Sequence, residues 1–222
     1  MSHFQVNTFS AEVSIQEASV RFNADENLMP DLDAAIQAVN QVATPIGGYV
    51  LFDQIQLDTD RIIIGDTTLK CGRPLCNLLK GSSRLAVLVC TLGESVSELY
   101  NSYTAQYDFV KAYLCDNVAN IAIEKTMEQL KDTLRQQTAE DGLRITSHFC
   151  PGYCHWPIAE QHNLFALLPP EPCGIRLTSS SLMQPMKSIS GIVGIGRQVT
   201  YKESNCSLCH LKKCIYRKQK IH

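Results

Sequence analysis

Net charge is the first thing this sequence lacks: 20 Lys and Arg against 22 Asp and Glu leave a formal −2 over 222 residues. Such a balance exerts no long-range pull on nucleic acid, and no basic, aromatic-rich strand is present that would read RNA bases. Nucleic acid is therefore not an expected partner. No run of about 18 apolar residues exists, so no membrane-spanning helix is expected. The opening Met1-Ser2-His3-Phe4-Gln5 shows no charged region ahead of an apolar core, and the expectation is a cytoplasmic chain without a membrane partner. Two cofactor signatures are also incomplete. Gly191-x-x-Gly194-x-Gly196 has no helix after it, as a dinucleotide fingerprint requires, and reads instead as close backbone approach or bulging within a sheet. Cys150-x3-Cys154 begins the pattern of a radical-initiating cluster, but its third position is Pro157.

What is present suffices for one substantial core, since 45% of the chain is hydrophobic. The reading is a single domain over residues 1–200 and a basic, Cys-rich tail over residues 201–222. Leu85 to Leu92 is a continuous apolar run of the length of a strand buried on both faces. Val110, Leu114, Val118, Ile121, Met127, Leu130 and Leu134, with Ile123 at the edge, form the apolar stripe of a long helix, and Glu124 lies at the border between core and pocket. Leu32, Ala35, Ile36, Val39 and Val42 predict a helix that stops before Pro45. Tyr49–Leu57 and Arg61–Gly65 read as a hairpin, residues 11–22 suggest a strand followed by an irregular stretch, and Leu143–Phe149 and Ser188–Val199 predict two more strands. Pro157 is placed to open a helix that Pro169-Pro170 ends. Hairpins and helices grouped in this way predict an α+β fold, a twisted, mostly antiparallel sheet flanked by helices.

Ten cysteines in a reducing compartment point to core packing plus a metal or redox site rather than a disulfide framework. Cys90 and Cys115 lie in apolar context and read as core. Cys206-x2-Cys209-x4-Cys214 has metal-ligand spacing in a segment too polar to need thiols for packing. A fourth ligand would come from Cys150, Cys154 or an external group, and zinc and an iron–sulfur cluster both suit thiolates. Redox thiols without metal, and thiols with no ligand at all, are the other readings. The surrounding Lys212, Lys213, Arg217, Lys218 and Lys220 form a basic patch that could dock an acidic redox protein such as a flavodoxin.

The densest polar and aromatic punctuation runs from His148 to Gly191. In His148-Phe149-Cys150-Pro151-Gly152-Tyr153, Pro151 fixes its own φ and Gly152 lets bare backbone turn close to a ligand. Further on come Leu177, Thr178, Ser180, Met183, Pro185, Ser188, Ser190 and Gly191. On these residues the chain resembles the stand-alone form of the activation (reactivation) domain of cobalamin-dependent methionine synthase. The motifs of that family read Arg-x-x-Pro-Gly-Tyr and Leu-Thr-x-Ser-x-x-Met-x-Pro-x-x-Ser-x-Ser-Gly. His148 stands where the fused domain carries arginine, and histidine lacks the permanent bidentate fork that grips a carboxylate.

The resemblance implies an activation-domain fold that binds S-adenosylmethionine and supports reductive methylation of an inactivated corrinoid. It places Glu124 on the ligand's positive groups and the Pro151-Gly152-Tyr153 turn on its backbone and ring contacts. Ser188, Ser190 and Gly191 would form a pocket wall, and His148 a weaker or pH-dependent carboxylate grip. Catalysis would come from positioning, with no acid or base supplied by the chain. The Asp-x-His-x-x-Gly signature for holding a corrinoid is missing, which implies cobalamin on a partner: a methionine synthase or related methyltransferase, served in trans, with flavodoxin or ferredoxin as electron donor. Whether the chain is itself an enzyme stays open. The alternative is an iron–sulfur or zinc electron-transfer or assembly partner of a corrinoid methyltransferase, without S-adenosylmethionine binding.

Overall fold

The structure is a computed structural model that describes residues 3–22, 25–153 and 156–201. In chain order its principal elements are β1 (Gln5–Thr8), α1 (Ile15–Phe22), α2 (Met29–Val42), β2 (Ile46–Phe52), β3 (Gln56–Leu57), β4 (Ile62–Ile64), β5 (Thr67–Leu69) and α3 (Gly72–Leu78). Then follow β6 (Arg84–Thr91), α4 (Glu94–Ala105), α5 (Phe109–Glu140), β7 (Arg144–Phe149), α6 (Gln161–Phe165), β8 (Arg176–Leu177), β9 (Met183–Gln184) and β10 (Ser188–Gly196).

The apolar run of β6 decides the architecture. It lies at the centre of a five-stranded sheet of order β1-β2-β6-β10-β7, in which every pairing is antiparallel. Alternate β6 side chains face opposite cores. Ala86, Leu88 and Cys90 join Leu114, Val118, Met127 and Leu130 of α5 and Leu32 and Val39 of α2. Leu85, Val87 and Val89 join Ile62 and Leu69 of the small β3–β5 sheet, Leu75 of α3, Trp156 and Leu164. This is the expected α+β arrangement, with helices on one face and α3, α6 and short strands on the other.

Residues 11–22 are not a strand. Edge strand β1 comes earlier, and Ile15–Phe22 is helical because Ser14 and Glu17 form a capping box. Ser14 Oγ accepts from the Glu17 N–H at 3.3 Å while the Glu17 carboxylate accepts from the Ser14 N–H at 3.1 Å. The expected hairpin from Tyr49 to Gly65 is also reduced. β2 pairs with β1 and β6, and only Gln56–Leu57 meets Ile62–Ile63. The helix predicted after Pro157 is a 3₁₀ turn at Ile158–Glu160 followed by the five-residue α6.

Edge strand β7 carries one irregularity. His148 lies opposite Val193 and Ile145 opposite Ile195, so three steps of β7 match two of β10: a β-bulge at Thr146-Ser147. Thr146 Oγ1 stabilises it by accepting from the Gly194 N–H at 2.9 Å and donating to the Ser147 carbonyl at 2.8 Å. As a result Ile145 packs into the α5 core while Phe149 packs into the opposite one.

Candidate ligand-binding site

β7 and β10 part company at one end of the sheet. Pairing runs from Gly196 back to Ile192, which lies opposite Phe149, while Ser188 to Gly191 keep only β6 as a ladder partner. The chain leaving β7 enters the Pro151-Gly152-Tyr153 turn. Gly152 has φ of +92°, a conformation that excludes most side chains, and its N–H donates to the Trp156 carbonyl at 2.7 Å. Trp156 is buried in the second core and anchors the turn from below. Pro151 is buried, whereas Tyr153 is 70% exposed. Gly191 lets this departure happen: a Cβ there would stand 2.6 Å from the Phe149 carbonyl oxygen.

The other predicted wall residues are tied inward. Ser188 Oγ donates within reach of Thr91 Oγ1 at 2.9 Å and the Pro185 carbonyl at 2.7 Å. Thr91, at the end of β6, also accepts from the Gly93 N–H at 3.1 Å. Ser190 is buried and receives a hydrogen bond from Gln161 Nε2 of α6. Beside them lies a cation that sequence reasoning passed over. The Lys187 ammonium reaches Asp116 Oδ1 at 2.6 Å and Asn120 Oδ1 at 2.8 Å on α5, with its own side chain only 10% exposed. Its signal was available: a lysine inside an otherwise uncharged motif, and Asp116 and Asn120 four residues apart on one helix flank.

Glu124 lies one turn beyond Asn120 on α5. Its carboxylate is turned toward α1, where Arg21 Nη2 donates to Oε1 at 2.8 Å. Two turns further on, Lys131 has a side chain just 3% exposed, paired with Glu128 Oε1 at 2.6 Å. The Tyr201 ring covers it, with the Lys131 Nζ 5.5 Å from the ring centroid and the Arg135 guanidinium 5.1 Å away. His148 feels this group. Desolvation, and next the Lys131 charge, push its imidazole down to about 4, with Glu128 opposing. At neutral pH His148 is thus uncharged, and the expected pH-dependent grip on a carboxylate would not operate near pH 7. The Lys131 charge beside it is taken up by Glu128.

The structure therefore brings His148, Pro151, Gly152, Tyr153 and Gly191 to the point where β7 leaves β10, and holds Ser188 and Ser190 in the adjoining strand. Glu124 is not among them: it lies on α5, engaged with Arg21 of α1. The predicted metal ligands Cys206, Cys209 and Cys214, with Cys154, lie outside the described residues. Among the described residues no group of three or more His, Cys, Asp or Glu side chains could hold a metal ion. Cys90 and Cys115 are core residues as expected, and burial pushes the Cys115 thiol up to about 11. Cys71 and Cys76 touch within the second core, Sγ to Sγ 3.4 Å. No described helix is long and apolar enough to cross a membrane.

This combination of sheet, long helix and parted edge strand is a known fold. The chain is similar to a solved structure described as the MetH reactivation domain bound to AdoHcy, with 16% sequence identity and a TM-score of 0.63 over 90% of this chain and 81% of that one. That places it among reactivation-type α+β domains by fold. The family model for the activation domain of vitamin B12 dependent methionine synthase matches residues 79–205, and the chain belongs to that family. A comparison with curated proteins finds no match.

Proposed function

We propose that the chain is an S-adenosylmethionine-binding activation module that serves, in trans, a cobalamin-carrying methionine synthase or related methyltransferase. The observation that carries this reading is the parting of β7 and β10 in a member of the activation-domain family. Gly152 exposes its backbone there, Gly191 lets its strand pass close to the Phe149 carbonyl, and Tyr153 offers an exposed ring. Those features fit a nucleoside ligand with a flat base and polar ribose.

Bound at this edge, S-adenosylmethionine would supply the methyl group for the partner's corrinoid. The chain's own part is to hold and orient. Tyr153 offers its ring to the base, the Gly152 backbone lines the edge, and Thr91 and Gln161 keep Ser188 and Ser190 in place. Glu124 takes the ligand's positive groups when Arg21 gives it up, and His148 offers the ligand's carboxylate only a weak grip. None of these groups needs to exchange a proton, because catalysis by such a module is a matter of positioning. Delivery of an electron by flavodoxin or ferredoxin belongs to the same proposal.

Calorimetric titration with S-adenosylmethionine tests it, with His148→Arg alongside. Saturable one-to-one binding by the wild type is expected. Silence in the wild type with binding restored by arginine would mean a decayed site, and silence in both would remove the ligand from the function.

A further inference from the structure

Three carboxylates on α5 are already met by cations of the chain itself. Asp116 holds Lys187, Glu128 holds Lys131 and Glu124 holds Arg21. The first two cations are locked in, with side chains 10% and 3% exposed. The third pair differs, because Arg21 and Glu124 are 36% and 47% exposed. An ion pair so well hydrated is weak and exchanges readily with another cation.

Arg21 also sits on a thinly packed element. Only Ala18 of α1 is buried, and Val20 is 79% exposed. An open cavity of about 420 Å³ separates Gln16, Glu17, Val20 and Arg21 from Ile121 of α5. The other end of α1 is fastened independently: Lys125 of α5 reaches Glu17 at 3.0 Å and the Glu12 carbonyl at 2.6 Å. Arg21 can therefore leave Glu124 without releasing the helix.

We propose that Arg21 is a specificity-determining residue that competes with the ligand's positive charge for Glu124. The inference rests on the S-adenosylmethionine reading and deepens it. A ligand carrying a sulfonium as well as an ammonium displaces the guanidinium more readily than one carrying the ammonium alone, so the pair filters for the charged, methyl-bearing form. Removing the competitor tightens binding, a change that structural damage does not produce.

The test is titration of the full chain with S-adenosylmethionine and S-adenosylhomocysteine. Wild type, Arg21→Gln, Glu124→Gln and the double variant are compared, with thermal unfolding as a control on folding. Arg21→Gln is expected to tighten S-adenosylmethionine about two- to fivefold, the range of an exposed ion pair. Glu124→Gln is expected to weaken it and to narrow its advantage over S-adenosylhomocysteine. Added to Glu124→Gln, the Arg21→Gln change is expected to alter nothing further. Tightening that persists in the double variant would reduce Arg21 to a diffuse repulsion of cations and overturn the proposal. Wild-type binding that Arg21→Gln leaves unchanged or weakens overturns it as well, with the ligand reading intact. Silence toward both ligands in every variant sinks the ligand reading and this inference together.

Discussion

The two sides of the candidate site are built in opposite ways. Around Thr91, Lys187 and Ser188 the polar groups are satisfied by one another: a buried ammonium on two acceptors, and a threonine shared between a serine and a backbone N–H. Around Pro151, Gly152 and Tyr153 the turn hangs on a few backbone hydrogen bonds and on Trp156, and Tyr153 stands in solvent. A motif read from sequence treats both sides alike. The structure divides it into residues that make a frame and residues that face outward from it.

That division can be broken by measurement. The largest effect is expected at His148, which belongs to the frame if its imidazole is held neutral. Its folded pKa of about 4 lies below the ordinary 6.5, so the unfolded chain takes up the proton first. Stability from this source is complete above pH 6.5 and is lost as pH falls toward 4, by about 3 kcal/mol. Denaturant unfolding between pH 7 and pH 4 should show the decline in the wild type and a shallower one in His148→Gln. Equal declines would remove His148 from the frame.

Next comes Lys187→Met, which strands Asp116 and Asn120. Breaking a fully buried pair costs about 3–5 kcal/mol; with Asp116 one-third exposed, about 2 kcal/mol is expected. Chemical denaturation measures it, and a loss near zero would mean that the corner is not held by this pair. Gly191→Ala should cost about 1–2 kcal/mol, because the new methyl meets the Phe149 carbonyl, and the thermal midpoint should fall accordingly. Tyr153→Ala is the smallest change in stability, under about 0.5 kcal/mol. If the division holds, the same substitution weakens S-adenosylmethionine about tenfold in calorimetry, through loss of a stacking ring.

Much of the fold was legible. The run from Leu85 to Leu92 could only be a strand covered on both sides, and the stripe from Val110 to Leu134 could only be a long helix. What failed were choices between local and distant partners. Tyr49 to Phe52 looked like half of a hairpin, but pairing with apolar β6 buries both of its faces, which a neighbouring polar turn cannot match. In α1 the loose alternation outweighed a capping box that was present in Ser14-Ile15-Gln16-Glu17. At the site, the Pro-Gly-Tyr turn and the serine motif were readable. Lys187 on Asp116 was not, because an ion pair between a loop and a helix about 70 residues apart leaves no periodicity in a single sequence. The neutral state of His148 was hidden for the same reason, since it depends first on burial and then on Lys131 from another element.

The surplus residue in β7 works as a phase shift. Were the same residues paired as an unbroken ladder, the alternation that sets Ile145 against α5 would carry Phe149 to that same side and swing His148 to the other. The turn that follows would then leave the strand upside down, with its tyrosine on the wrong side of the sheet. Which way the Pro151-Gly152-Tyr153 segment faces is therefore decided upstream, by a count of residues rather than by their chemistry. Straightening the strand without removing a residue would invert it, whereas deleting Ser147 would take out the bulge and leave His148 opposite Val193 with the facing unchanged.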